Sequence, residues 1–418
     1  MSSPRGAGFS APLLVFFLVN VVNFYDRQAL GAVLEPLRHE FHLSDTELAA
    51  LTTAFTLLYA VAGLPLGRLA DRWSRKWLLA IGVAAWTALT GIGGLAMSYG
   101  MLLGTRLGVG IGEAACAPAA TSWIGDLVPA GRRARALAWF MMAVPVGIFL
   151  SYAVGGPVAQ AHGWRVALVL AALPGAALVP AILWLREPAR EPVPAAAANP
   201  WAIAKIPAFW WIAASGAAVN SMLYSFSLFL PAFLTRYHGL SIASAGLWSG
   251  AGTGIAGVLG AITAGALGDR IRGNLARGRL RTAALASVIA APLAWLAIAA
   301  PAGKVAAALL PFVVAYGLWQ MYYGLVYAAL QDVVPAHLRG TAMAAYYMAM
   351  YLCGASFGPL LTGRLSDFFA QRALAAGAVA EAARSMGLHQ AMYVIPALSL
   401  LVGAALLAGG GGANAEIA

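Results

Sequence analysis

Apolar runs of about twenty residues recur along the chain, separated by short polar breaks. Their limits predict twelve helices, at 11–33, 47–66, 77–97, 101–123, 135–158 and 164–185, then 207–234, 243–265, 281–300, 305–329, 340–362 and 389–408. Runs of this length suit helices that cross a hydrocarbon core of about 30 Å. The alternating ten-residue pattern of a membrane β-barrel is not seen. The first run continues through Asp26 and Arg27 and has no small-residue cleavage site, so it reads as a retained helix. Segment 186–206 breaks the pattern with Pro188, Pro192, Pro194, a run of alanines and Pro200. It reads as a linker between a first half, 1–185, and a second, 207–418, with 201–206 as a short interfacial helix.

Composition agrees with a membrane protein. The chain is 61% hydrophobic and 10% charged, where soluble domains carry about 25% charged residues. A net charge of +11 would suggest nucleic acid in a soluble protein. Here the basic residues concentrate in alternate loops: Arg68, Arg72, Arg75 and Lys76; Arg132, Arg133 and Arg135; Arg270, Arg272, Arg277, Arg279 and Arg281. That is the bias of cytoplasmic loops and places both termini inside. Cys116 and Cys353 fall in separate spans and the six histidines form no ligand-spaced cluster, so no disulfide framework, metal or cofactor is expected. The expected partners are membrane lipids, protons and a small molecule, and the expected state is a monomer.

The two halves repeat. Gly67-Arg-Leu-Ala-Asp71-Arg72 follows the second span and Gly265-Ala-Leu-Gly-Asp269-Arg270 the eighth. Asp126-Leu-Val-Pro129 with Arg133 follows the fourth span, and Asp332-Val-Val-Pro335 with Arg339 the tenth. Same order and same sidedness make these parallel repeats. The string Gly363-Arg-Leu-Ser-Asp367 is spelled almost like Gly67 to Asp71, but topology puts it at the opposite face, so it is no third copy of the cytoplasmic motif.

On these motifs the chain resembles the major facilitator superfamily along nearly its whole length. "GRLADRWSRK" at 67–76 looks like the family's loop between helices two and three, departing at Ser74 where the general pattern prefers Gly. "RLGVGIGEA" at 106–114 resembles its fourth-helix motif, and "GIFLSYAVGGP" at 147–157 loosely resembles the Gly/Pro-rich fifth-helix motif of antiporters. "NFYDR" at 23–27, "GEA" at 112–114, "VPVG" at 144–147 and "GPLLTGRLSD" at 358–367 resemble the spinster-like branch. Organic-anion symporters share a similar Asp-Arg signature in helix one. The resemblance implies an all-α membrane protein, with twelve transmembrane helices in two six-helix parallel repeats. It also implies secondary transport, often proton-linked, with lipid-like amphiphiles as cargo in the best-known members.

Four ionisable residues fall well inside the predicted spans: Asp26, Arg27, Arg106 and Glu113. A charge at the bilayer centre costs about 2.5–3.5 kcal/mol on insertion scales, and such residues usually mark a substrate or proton path. Helices one and four are neighbours in the resembled fold, so Arg27 and Glu113 are expected to pair. Asp26 lies about 100° around the helix from Arg27 and is expected to face another neighbour. These four are the candidates for proton coupling. The alternative is a static ion pair between helices, with Asp26 packing near the outer gate.

Two further sets are expected. Asn23 with Asn220, Tyr224 and Ser227, and Trp319, Gln320, Tyr323 and Tyr347, are candidates to line a substrate cavity. They belong to polar and aromatic stripes at helical spacing, as do Tyr327, Tyr346 and Tyr351. Such stripes also occur in helix cores and interfacial belts. Gly67, Asp71, Arg72, Arg75, Lys76, Asp126 and Arg133, with Gly265, Asp269 and Arg270, are candidates for a cytoplasmic conformational latch. The functional expectation is alternating-access transport of a small amphiphilic or lipid-like molecule in the plasma (inner) membrane, and not an enzyme. The alternatives are an organic-anion/proton symporter and a transport-inactive sensor or lipid scramblase.

Overall fold

A computed structural model describes residues 11–188, 200–335 and 338–412; the Asp71 side chain lies outside that description. The first half runs α1 (Ala11–Ala32), α2 (Leu34–Phe41), α3 (Asp45–Arg72), α4 (Arg75–Gly93), α5 (Tyr99–Ala114), α6 (Cys116–Leu127), α7 (Ala130–His162) and α8 (Trp164–Trp184). After a short 3-10 helix (Pro200–Lys205) come α9 (Pro207–Arg236), α10 (Ile242–Gly268), α11 (Leu275–Ile298) and α12 (Val305–Val333). The chain ends with α13 (Arg339–Met348), a π-helical segment (Ala349–Ala355), α14 (Gly358–Ala375), α15 (Ala380–Ala391) and α16 (Val394–Gly412).

Ten of the described helices are long and apolar enough to cross a membrane. The other two of the twelve expected spans are broken near their middles. In the fourth, α5 stops at Ala114 and α6 starts at Cys116. Pro118 has no N–H to give and its ring crowds the carbonyl of Ala114, four residues back. In the eleventh, the helix widens over Ala349–Ala355 and restarts at Gly358 with Pro359 in the first turn. Pro359 stands in the same relation to Ala355, where the widened segment ends.

Span ends follow local capping. Ser44 begins α3 with a capping box: its hydroxyl accepts from the Glu47 N–H at 3.2 Å, and Glu47 accepts from the Ser44 N–H at 2.8 Å. Ser74, the departure from the family pattern, begins α4 by accepting from the Trp77 N–H at 3.3 Å. Its hydroxyl also donates to Glu187 at 2.5 Å. A serine here caps a helix and ties it to the chain leaving α8, which a glycine would not do.

The halves meet along α7 and α10, where a Cβ on Gly246 would lie 2.6 Å from the Tyr152 carbonyl oxygen. Only glycine permits that approach. At one end of the bundle, α2 and α15 fold over the junction. Arg38 bonds Glu35 (3.1 Å) and both oxygens of Glu381 (3.3 and 3.1 Å). Arg236 bonds Glu35 (2.6 Å) and Asp45 (2.8 Å). We call this the sealed end. At the far end Gly63 and Gly67 on α3, Gly265 on α10 and Gly340 on α13 have no atom within 4 Å of a Cβ position. Among the described residues, the hydrogen bonds that join the halves run from Arg27 at mid-depth to the sealed end.

Candidate functional site

Helix α1 delivers its charges to different neighbours. Asp26 turns towards α4 and α5, where Thr90 donates to it at 2.5 Å and the Arg106 Nη1 lies 3.7 Å away. Arg27 turns the other way. Its Nε donates to Glu113 at 2.9 Å, and the two side chains are 3% and 0% exposed. Arg106 and Glu113 share one helix, seven residues and so about 10.5 Å of rise apart. The long arginine side chains cover that separation.

The Arg27 guanidinium is also held by rings. It lies 4.1 Å from the Tyr59 centroid, 4.8 Å from Phe24 and 5.6 Å from Phe55. Desolvated contacts of this kind are worth about 2 kcal/mol. Its Nη1 reaches the Tyr351 hydroxyl of the π-helical segment at 3.5 Å, and the Tyr59 and Tyr351 rings are 5.0 Å apart. The charge site of the first half therefore touches the second half where its eleventh span is irregular. Single-turn π segments recur at functional sites.

The quartet is not fully satisfied by protein. Glu113 Oε1, Asp26 Oδ1, Arg106 Nε and Nη2, and Asn23 Nδ2 are buried without a hydrogen-bond partner. Most buried polar atoms find one, so a cluster of exceptions asks for a reason.

The expected cavity residues divide. Tyr323 donates to Asn220 at 2.9 Å, and the Asn220 amide reaches the Met350 carbonyl at 3.3 Å in the π segment. Tyr224 packs edge-on against Tyr351, and Tyr347, 38% exposed, against Tyr327. Gln320 is half-buried and bonds Tyr316 at 3.2 Å. Two expectations are corrected. Trp319 is 0% exposed, bonded to Ser399 at 2.8 Å and packed on Phe226, so it belongs to the core of the second half. Ser227 is buried where its carbonyl accepts from the Tyr152 hydroxyl at 2.5 Å, so it seals the junction instead of lining a cavity. Tyr59, Thr90 and Phe55 also belong to the site without a motif to mark them, and Phe24 comes from the NFYDR string.

The expected latch residues also behave differently. Buried Arg75 donates to Glu187 at 3.0 Å, to the carbonyls of Ser122 and Pro188 at 3.2 and 3.1 Å, and to Asp126. Glu187 further accepts the backbone N–H of Arg75 at 2.9 Å and of Lys76 at 3.2 Å. Arg75, Lys76 and Asp126 thus clasp the ends of α4, α6 and α8 within one half, and do not bridge halves. Arg279 pairs with Asp332 in the second half. Arg72, Arg133, Asp269 and Arg270 are exposed, Gly67 and Gly265 face open space, and the side chain of Asp71 lies outside the described residues.

Burial alone would push the Glu187 carboxyl up; bonds from Ser74, Arg75 and Lys76 outweigh it and hold it below the ordinary carboxylate range. A carboxylate held low adds stability above its unfolded value, and that stability is lost as pH falls through the lowered one. Glu187→Gln should therefore cost about 1–3 kcal/mol of stability at neutral pH for unsatisfied Arg75 donors, read as a lower thermal midpoint, and less in acid. An equal deficit at all pH values would contradict the clasp.

A family model described as the Major Facilitator Superfamily matches residues 16–359. An "MFS-type efflux pump" of Mycolicibacterium smegmatis is 32% identical over 372 residues, covering 87% of this chain and 85% of the relative. "Protein spinster homolog 1" of Homo sapiens is 30% identical over 383 residues, covering 84% and 72%. The crystal structure of a bacterial homolog to the human lysosomal transporter Spinster, inward-facing and unoccupied, superposes with a TM-score of 0.84 at 25% identity, over 97% of both chains. A D-xylose-proton symporter shares the fold alone, with a TM-score of 0.71 and 16% identity over 92% and 96%. With the family model spanning most of the chain and spinster relatives matching in both sequence and structure, the chain belongs to the major facilitator superfamily, as a spinster-like transporter.

Proposed function

We propose that this transporter moves a small amphiphilic or lipid-like molecule across the plasma (inner) membrane by alternating access, driven by protons. Glu113 and Asp26 carry the proton, and Arg27 and Arg106 are their exchanging partners. Both termini are cytoplasmic, and the far end is the cytoplasmic one. The observation that carries the reading is the buried quartet with unfilled bonding capacity, touching the second half through Tyr351. A carboxyl that is dry in one state and wet in the other changes its proton affinity between them. Rocking of the halves supplies that change. The name of the mycobacterial relative favours export.

The cargo class follows from the second half, whose facing surface is tyrosine and amide instead of charge: Tyr224, Tyr323, Tyr347, Tyr351 and Asn220. A substrate therefore brings its own apolar tail. Shortening the tail should weaken competition by about 0.8 kcal/mol per buried CH₂, while moving the head's charge should matter less. Counterflow competition in proteoliposomes measures this. Short hydrophilic anions competing as well as long amphiphiles would favour the organic-anion reading, and absence of saturable counterflow would favour the sensor or scramblase.

A further inference from the structure

The string Gly363-Arg-Leu-Ser-Asp367 lies on α14 and points at the first turn of α3, across the junction of the halves. Both Asp367 oxygens are used there. Oδ1 accepts the Asp45 N–H at 2.9 Å; Oδ2 accepts the Thr46 N–H at 2.9 Å and the Thr46 hydroxyl at 2.5 Å. One helix turn back, a Cβ on Gly363 would lie 2.5 Å from the Asp45 carbonyl oxygen, 2.8 Å from its carbon and 3.0 Å from the Thr46 nitrogen. These are backbone atoms that cannot step aside. Ser366 donates to the Asp45 side chain at 2.6 Å, the same oxygen that Arg236 holds at 2.8 Å. The string thus supplies a glycine for the approach, a hydroxyl, and a carboxylate for the donors of a helix N-terminus.

We propose that Gly363, Ser366 and Asp367 form a state-selective latch, which holds the sealed end shut by capping α3 from the other half and lets go when that end opens. A carboxylate on the free N–H groups of a helix start is favoured by both hydrogen bonding and the helix dipole. Its division of labour with the local cap makes it reversible. Ser44 and Glu47 satisfy each other inside α3 and keep the helix start intact when the halves part. The Asp45 and Thr46 N–H groups are the ones left to the latch, and an opened end supplies water to them. The charged pairs around the latch, Arg236 with Glu35 and Arg38 with Glu381, add attraction, but the cap fixes register because backbone groups do not move independently of the helix. The Gly-x-Leu-x-Asp pattern, which ends α3 at the far end, is thereby used a second time at the sealed end. The inference does not depend on the cargo or on protons.

Spin labels at Met97→Cys and Lys304→Cys, exposed loop positions in opposite halves, report the width of the sealed end in a Cys353→Ser background with the full chain in nanodiscs. Asp367→Asn removes the charge and puts an amide against backbone N–H groups. Gly363→Ala removes the approach by an unrelated route. Each is expected to raise the ratio of wide to narrow populations by about tenfold, equivalent to about 1.4 kcal/mol, with a monodisperse elution profile. Asp71→Asn, at the far end, should not widen the sealed end. Unchanged distributions in both latch variants would overturn the proposal. So would an equal widening by Asp71→Asn, because that is general loosening and not release of a latch.

Discussion

Arg27→Ala is expected to abolish transport and to destabilise the protein more than substitution of any other residue of the charge site. Arg27 has five holds at once: an ion pair with Glu113, the faces of Tyr59, Phe24 and Phe55, and the Tyr351 hydroxyl of the second half. Its removal leaves the Glu113 carboxylate, 0% exposed, with no partner in a dry interior. Breaking a buried pair from one side costs about 3–5 kcal/mol. The size of the loss does not by itself show that the pair stabilises the fold, since well-packed apolar residues in place of both charges are often as good. The double variant separates the effects. Arg27→Ala with Glu113→Gln removes the orphaned charge, so thermal stability should recover by more than half of the loss. Transport should not recover, because the link to Tyr351 is still gone. Melting temperature and counterflow, measured on the same preparations, check both halves. A double variant no more stable than the single one would mean that ring packing, and not the orphaned charge, carries the cost.

Much of this site was legible because charge is scarce in the spans. With two acids and two bases inside apolar runs, the neighbouring helices one and four left Arg27 and Glu113 as natural partners, and the 100° step sent Asp26 elsewhere. The structure adds where Asp26 goes, to Thr90 and Arg106. The aromatic residues were not legible in the same way. Trp319, Tyr323 and Tyr327 repeat at the same helical interval, yet Trp319 faces the core while Tyr323 reaches Asn220 and Tyr327 meets Tyr347. A stripe gives the face of a helix, not what covers it. Tyr59 carries no signal of its own, because a lone tyrosine in an apolar run looks like packing.

The spans were legible to within a few residues at most ends, but their breaks were not. Pro145 and Pro157 sit in unbroken α7, while Pro118 and Pro359 coincide with interruptions. Proline alone does not decide, and neither does neighbouring glycine, since Pro157 follows Gly155 and Gly156 in the unbroken helix. Least legible was the sealed end. Its α2 and α15 are eight and twelve residues long, too short and too mixed in charge for an apolar period to stand out. Arg38, Arg236 and Asp367 read as ordinary loop and helix-end residues until the fold brings them to Glu381, Glu35 and α3. The Gly67 to Lys76 motif was legible as a motif. Part of it instead clasps one half through Arg75.

The central claim is that proton energy enters through Asp26 and Glu113. Each pH unit of gradient is worth about 1.4 kcal/mol per proton, and each 100 mV about 2.3 kcal/mol per charge moved. A loop carboxylate meets one side of the membrane only, whereas these two are buried at mid-span in the first half, Glu113 on the Arg27 that reaches the second half and Asp26 on Thr90 and Arg106. The measurement is uptake into proteoliposomes with and without an imposed pH gradient, for the parent, Glu113→Gln, Asp26→Asn and the double variant, alongside counterflow at equal pH. Neutral amides keep much of the shape and hydrogen bonding but cannot release a proton. The parent should accelerate with the gradient and each single variant should respond less. The double variant should show no response while keeping counterflow within about tenfold of the parent, a cost of about 1.4 kcal/mol. A double variant that responds to the gradient as the parent does would place the coupling elsewhere and contradict the account.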